Sequence, residues 1–429
     1  MTTDHPLNEL ITFAHRHSDF YCQHLSGAAA PMTLLSELPV LDPAEYWRHS
    51  DNLDQWPVLT GRIEQALIFK TGGSTSAGKL SVYTREEWRT LVSDFGKSLT
   101  PQFKPGDRVA NLFFAGDLYA SFLFIHGALA NVAEDISEFP FTGDVDAEVL
   151  AQAIVRHRIN VLAGVPAHLL TFASLLNRRG QALNGVDTIL YGGESLFASQ
   201  RQMLRQVFPA ARITSIGYAS VDAGFIGASH RDCADGEHRM PDAHAVLEII
   251  DEQSGEVIND CDRTGMLVLT NLTRRLMPLI RYPVGDRACW REPAGTAMRK
   301  FALKGRSANS QQVRVGTLSL SPVEIGEIVQ HSVGCDDWQL VIEQRVHKDV
   351  LTLKWVPREF SRACTNDEQT LQLALIKQYP LIDQLQADQR LDLHVQCCRT
   401  DDLQRHPRSG KCLRFLDRRD YGPGAIEYT

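Results

Sequence analysis

The chain has 429 residues, enough for about two to four domains at roughly 100–200 residues each. With 44 Lys+Arg against 52 Asp+Glu the net charge is −8, which argues against a duplex nucleic-acid binder. Hydrophobic residues at 43% and charged residues at 22% fit a globular protein with a real core, and nine cysteines spread from Cys22 to Cys412 do not resemble a disulfide framework. The longest apolar stretch, 118–133, is interrupted by His126 and is too short to span a bilayer. The N-terminal run MTTDHPLNEL shows no secretory pattern, so the expectation is a cytoplasmic protein with reduced thiols.

Residues 7–26 read as one amphipathic helix, and Asp42-Pro43 reads as the start of another. From about 60 to 220, apolar runs (ALIFKT, DRVANLFFAG, INVLAGVP, VDTILYGG) alternate with helical patterns at 145–157, 167–179 and 197–206. That alternation predicts an α/β core with largely parallel strands. From about 244 to 290 the texture changes to short strands and turns, a β-rich subdomain. Beyond Gly305-Arg306 the order helix, two paired strands, helix (366–385), strand predicts a small α+β domain. The expected division is 1–304, a large α/β domain with the β-rich unit, and 305–429, a small domain on a hinge.

Residues 71–79 (TGGSTSAGK) lie between two predicted strands. Small residues let a backbone approach an anion closely, hydroxyls and N–H groups can surround phosphate oxygens, and a terminal lysine adds charge. Gly73-x4-Gly78-Lys79 has the Walker A spacing, but Leu80 stands where that loop needs Ser or Thr, and a strand follows instead of a helix. The two readings of the loop are a strand–loop–strand phosphate grip and a plain hairpin turn.

Further motifs follow in order: Tyr191-Gly192-Gly193-Glu194-Ser195-Leu196, Gly217-Tyr218-Ala219-Ser220-Val221-Asp222, the pair ending in Arg281-Tyr282…Gly285-Asp286, Gly305-Arg306, and Pro407-Arg408-Ser409-Gly410-Lys411. Together with the loop they resemble the AMP-forming ligase superfamily, in its phenylacetate–CoA ligase and coenzyme F390 synthetase branch. The resemblance implies ATP-dependent activation of a carboxylic acid as acyl-AMP with release of pyrophosphate. Transfer to CoA or a carrier-protein thiol would follow. It implies that Thr71, Gly72, Gly73, Ser74, Thr75, Ser76, Gly78 and Lys79 hold phosphates, and that Gly192, Gly193, Glu194, Tyr218, Ala219, Ser220, Asp286 and Arg306 line the nucleotide. Asp222 would bind Mg²⁺, Lys411 would be the catalytic lysine, and Phe114, Tyr119, Gly164, Val165 and Gly217 would contact the acid.

Aromatic and small residues in the acid region suit a flat aryl acid and equally an ordinary core. The hinge departs from the family: Ser307 to Gly316 carries no acid and has two apparent extra residues, so adenylation has more support than thioester formation. His230, Cys233, His238 and His244 raise a zinc site, but only Cys289 stands where relatives carry a second ligand pair. Two other functions stay open: a nucleotidyl transferase that leaves AMP on a non-carboxylate acceptor, and a non-catalytic nucleotide-binding relative.

Overall fold

The computed structural model describes residues 4–26, 35–70, 79–196, 198–307, 313–315, 318–335, 337–345, 348–357, 364–404 and 412–419. These fall into two compact units, one up to Lys304 and one from Gly305.

A parallel sheet organises the first unit. Its strands run Ser137–Phe139, Arg108–Leu112, Val161–Gly164, Thr188–Tyr191, Arg212–Ser215 in spatial order, so in chain order the sheet reads 2-1-3-4-5. Helices Ser121–Leu129, Ala147–His157, Pro166–Arg178 and Ala198–Val207 form the crossovers. Alternation sorts the side chains: Val109, Val161, Ala163 and Leu190 join one core cluster, while Ala110, Leu162, Ile189 and Tyr191 join another. The strand order reverses between Leu112 and Gly164. In open α/β sheets, the crevice beyond the strand carboxyl ends at such a reversal is where ligands bind.

Around this sheet stand three further groups of strands. Ala66–Lys70 pairs antiparallel with Leu80–Thr84, in register Lys70 to Leu80. The helix Arg85–Leu99 follows directly, opened by a capping box between Thr84 and Glu87. Tyr218–Ser220 pairs with Gly224–Gly227. A five-stranded sheet in the order Glu237–Arg239, Lys300–Arg306, Leu279–Trp290, Gly265–Asn271, Ala245–Ile250 is the β-rich subdomain. Its core packs with Leu10, Tyr21, Tyr46, Trp47 and Trp56 from the N-terminal segment.

In the second unit, strands Leu391–Cys397, Lys348–Trp355, Trp338–Arg345 and Phe415–Asp417 form a mixed sheet in that order. Its core includes Ile325, Val329, Trp355, Leu371 and Tyr379.

Two helices expected to be continuous are broken. The N-terminal one divides into Asp4–His17 and Asp19–His24, because Ser18 leaves the helical conformation to cap the second. Its hydroxyl accepts from Tyr21 N at 3.2 Å and donates to Pro57 O at 3.0 Å. The segment 366–385 divides into Cys364–Gln378 and Leu381–Ala387 at Pro380, which has no N–H to continue a helix. None of the described helices is long and apolar enough to cross a membrane.

Candidate functional site

At the strand-order reversal, the chain leaving Leu112 places Phe114 with its ring 4.1 Å from His168 and 6.3 Å from Tyr119, both edge-on. Ser121 Oγ fixes this turn by donating to Phe114 O at 3.2 Å. The chain leaving Gly164 continues through buried Val165 into the helix that carries His168. Gly143 must be glycine here, since a Cβ would stand 2.4 Å from His168 Nδ1. The acid-contact candidates Phe114, Gly164 and Val165 therefore share the reversal, with Tyr119 on the adjoining loop. His168 is a neighbour that the motifs did not single out.

One strand further on, Gly192 N donates to Gly164 O at 3.2 Å. A Cβ on Gly192 would approach Ile216 Cγ2 to 2.6 Å, so glycine is required there by packing. Gly193 is exposed with φ +83°, a left-handed conformation that favours glycine, and Glu194 beside it is half-buried. After the last parallel strand the chain turns at Gly217 (φ +133°), where a Cβ would sit 2.8 Å from Phe95 Cζ. Ser215 Oγ closes the turn, accepting from Gly217 N at 3.1 Å and lying 3.1 Å from His238 Nε2.

The turn delivers Tyr218, Ala219, Ser220 and Asp222. The Tyr218 hydroxyl donates to Asp286 Oδ2, and its ring packs beside His238 and Phe301. Asp222 is enclosed by donors. Ser220 Oγ gives a 2.6 Å bond and Ala223 N a 3.0 Å bond to Oδ1, and the Tyr282 hydroxyl gives a 2.8 Å bond to Oδ2. Burial pushes the Asp222 carboxyl up, but the Ser220 and Tyr282 bonds and the Lys79 charge outweigh it and hold the group below its ordinary value of 3.8. Burial in turn pushes Lys79 below its ordinary value, opposed by Asp222.

Three residues that fix this cluster, Ser81, Tyr83 and Arg274, gave no motif signal. Ser81 Oγ and the Tyr83 hydroxyl both donate to Val221 O at 2.8 Å, tying the strand Leu80–Thr84 to the Asp222 segment. Arg274, fully buried, donates to Asp222 O, to Val82 O at 2.5 Å and to Ser81 Oγ at 3.3 Å, and stacks on the Tyr83 ring at 3.8 Å. Arg281 pairs through Nε (2.9 Å) and Nη2 (3.1 Å) with buried Glu248 and is a framework residue. A buried arginine in the run TRRL is a weak signal, because sequence does not tell a clamp from a solvated charge.

Residues 71–78 and Lys411 lie outside the described residues, as does the Arg306 side chain; the strand Lys300–Arg306 carries its backbone. Among the described residues no group of three or more His, Cys, Asp or Glu is arranged around a metal ion. His238 faces Ser215 and Tyr218, while His244 Nδ1 lies 3.4 Å from Asp94. The segment 230–239 is instead held by ion pairs: Arg239 with Asp232 and Glu292, and Lys300 with Asp232 and Glu237. The described cysteines are free thiols. The donor set at Asp222 suits a hard cation: an ionised carboxylate whose Oδ1 has two donors and whose Oδ2 has one, leaving a lone pair on Oδ2.

Comparison with known proteins gives a consistent outcome. A family model described as "AMP-binding enzyme" matches residues 23–271. A phenylacetate–coenzyme A ligase of Thermus thermophilus is 23% identical over 81% of this chain and 79% of its own. An indoleacetate–lysine synthetase of Pseudomonas savastanoi is 28% identical over 43% of each chain. A solved 2-hydroxyisobutyryl-CoA ligase, in complex with its acyl-AMP and CoA, superposes with a TM-score of 0.72 at 17% identity, covering 97% of this chain and 89% of that one. The match covers more than half of the chain and includes residues 71–79, the Gly-Gly-Glu segment and Asp222, so this protein belongs to the AMP-binding enzyme family of adenylate-forming ligases.

Proposed function

We propose that this protein converts an aryl carboxylic acid to its acyl-AMP and passes the acyl group to CoA. The observation that carries the reading is that the segment following the last parallel strand presents the ionised Asp222, which Lys79 faces, and Tyr218, which bonds to Asp286.

A carboxylate is a poor electrophile, and its attack on a phosphate brings two anions together. In the first step a carboxylate oxygen bonds to the α-phosphorus of ATP, the bond from that phosphorus to the bridging oxygen breaks, and pyrophosphate leaves with the electron pair. Residues 71–79 cradle the β- and γ-phosphates, Tyr218 stacks on adenine, and Asp286 accepts from the ribose hydroxyls. Asp222 Oδ2 would hold Mg²⁺, which would supply charge neutralisation at the phosphates. Lys411 supplies positive charge at the oxygens on which charge develops in the transition state. In the second step the CoA thiol loses its proton to solvent, its sulfur bonds to the acyl carbon, the bond from that carbon to the phosphate oxygen breaks, and AMP leaves with the electron pair.

The ring cluster Phe114, Tyr119 and His168 supports an aryl acid, and the relatives named above act on phenylacetate and indoleacetate. An amine acceptor, giving an amide, is the second reading. It is favoured by the 28% identity to the indoleacetate–lysine synthetase and by the hinge run from Ser307 to Gly316, which lacks the family's acid. A cytoplasmic location fits these substrates. Pyrophosphate release over a panel of aryl and alkyl acids tests the first step, with aryl acids expected to lead. Single-turnover mixing of preformed acyl-AMP with CoA or with lysine then separates the acceptors. Release with no acid of either class refutes the reading.

A further inference from the structure

Trp47 stands at the end of the short helix Pro43–Tyr46, far in sequence from every motif, and is 7% exposed. Its Nε1–H donates to the Tyr282 hydroxyl at 3.1 Å, and that hydroxyl lies 2.8 Å from Asp222 Oδ2. An indole N–H can only donate, so it occupies a lone pair of the Tyr282 oxygen. The single Tyr282 proton is then directed to Asp222, and Oδ2 keeps one lone pair. The face of the same indole lies 5.3 Å from Lys79 Nζ, within the range of a cation–π contact.

The indole is itself held firmly. Trp56 stacks on it at 5.3 Å and 25°, and Tyr46 meets it edge-on at 5.2 Å. The segment carrying it is anchored to the strand that carries Tyr282: Leu41 N donates to Arg281 O at 3.0 Å, and the Tyr46 hydroxyl donates to Pro278 O at 2.9 Å.

We propose that Trp47 is a positioning residue for the nucleotide site, orienting the Asp222 carboxylate through Tyr282 and the Lys79 ammonium through its ring face. One side chain from the N-terminal segment thereby sets both the acid that would face Mg²⁺ and the lysine that would face phosphate. The proposal rests on the reading of Asp222 and Lys79 given above. It goes beyond that reading in assigning a role to a residue outside the motifs.

The test uses Trp47→Phe, which keeps a ring and removes the N–H, Trp47→Leu, Tyr282→Phe, and the Trp47→Phe/Tyr282→Phe double variant, all on the full chain. ATP binding is followed by calorimetry against Mg²⁺ concentration and in excess EDTA, with the thermal midpoint measured on each protein. Each single variant is expected to raise the Mg²⁺ needed for half-maximal ATP binding by roughly tenfold, the scale of one hydrogen bond to a charged group. The double variant should match the singles within about twofold, because the two side chains act in one chain of bonds. Binding in EDTA should hold in Tyr282→Phe and fall in Trp47→Leu, which also removes the ring under Lys79. Tyr282→Phe, which loses one oxygen atom, carries the hydrogen-bond arm if Trp47→Phe does not fold. A Mg²⁺ requirement unchanged in Tyr282→Phe or Trp47→Phe, or effects that multiply in the double variant, overturns the proposal while leaving the nucleotide reading intact. Wild-type ATP binding that ignores Mg²⁺ removes the metal role of Asp222, and the proposal falls with it.

Discussion

The Tyr218 hydroxyl donates to Asp286 Oδ2, so the residue read as the adenine platform and the one read as the ribose acceptor are directly paired. Asp286→Ala should weaken ATP binding by about 1.5–3 kcal/mol, the range for hydrogen bonds to a charged group. Titrations with ATP and its 2′,3′-dideoxy analogue should then give nearly equal affinities in the variant. A variant that still prefers ATP strongly would show that Asp286 is not the ribose acceptor.

Lys411→Ala should slow pyrophosphate release by about 10²-fold or more while ATP affinity stays near wild type, since the charge acts on the transition state and not on adenine. Pyrophosphate release at the wild-type rate would remove Lys411 from catalysis.

Burial lowers His238 to about 4 from an ordinary 6.5. The unfolded chain therefore binds a proton at a pH where the folded chain does not, and folding stability falls as pH drops from about 6.5 toward about 4. Below the folded value both states are protonated and the loss is complete. His238→Gln, which keeps a polar partner for Ser215 but does not titrate, should show a flatter unfolding free energy across this window in denaturant titrations. A slope equal to that of wild type would assign the acid sensitivity to other groups.

Arg281 and Glu248 form a buried two-point pair, with side chains only 4% and 9% exposed. Arg281→Met should destabilise the fold by about 3–5 kcal/mol, because it strands a buried carboxylate whose proton affinity burial already raises. Adding Glu248→Leu should recover most of that loss. A double variant as unstable as the single would mean that the backbone bonds from Arg281 to Ser36 and Leu38 are the larger part.

Gly217→Ala should cost about 1–3 kcal/mol from its φ of +133° alone, before the contact with Phe95 is counted. Thermal unfolding measures the loss. Unchanged stability would indicate that the turn relaxes and that Ser215 does not hold it.

The fold class and the motif positions were legible in the chain because they are local. Period-2 alternation in RVANL, VLAG and TILY sorts the two faces of the parallel sheet, and glycines at 192 and 217 stand where a Cβ would collide. The family resemblance rests on six short motifs in a fixed order, the loop 71–79 and the five that follow it. Helix boundaries at Ser18 and Pro380 were missed, although both carry a local reason, because a long amphipathic pattern outweighs one capping or breaking residue.

By itself the sequence pointed to the residue types proposed for the chemistry: a glycine-rich loop ending in lysine, an aspartate after Tyr-x-Ser-x, and the aspartate that closes Arg-Tyr-x-x-Gly-Asp. Only the tertiary structure decided how that chemistry is held. Trp47, Ser81, Arg274 and Tyr282 come from segments up to 235 residues apart, and their hydrogen bonds meet around Asp222. Their identities as Trp, Ser, Arg and Tyr say nothing of this, since a buried donor is defined by the acceptor that faces it. That acceptor is fixed by the crossing of sheets, and no spacing along the chain encodes such a meeting.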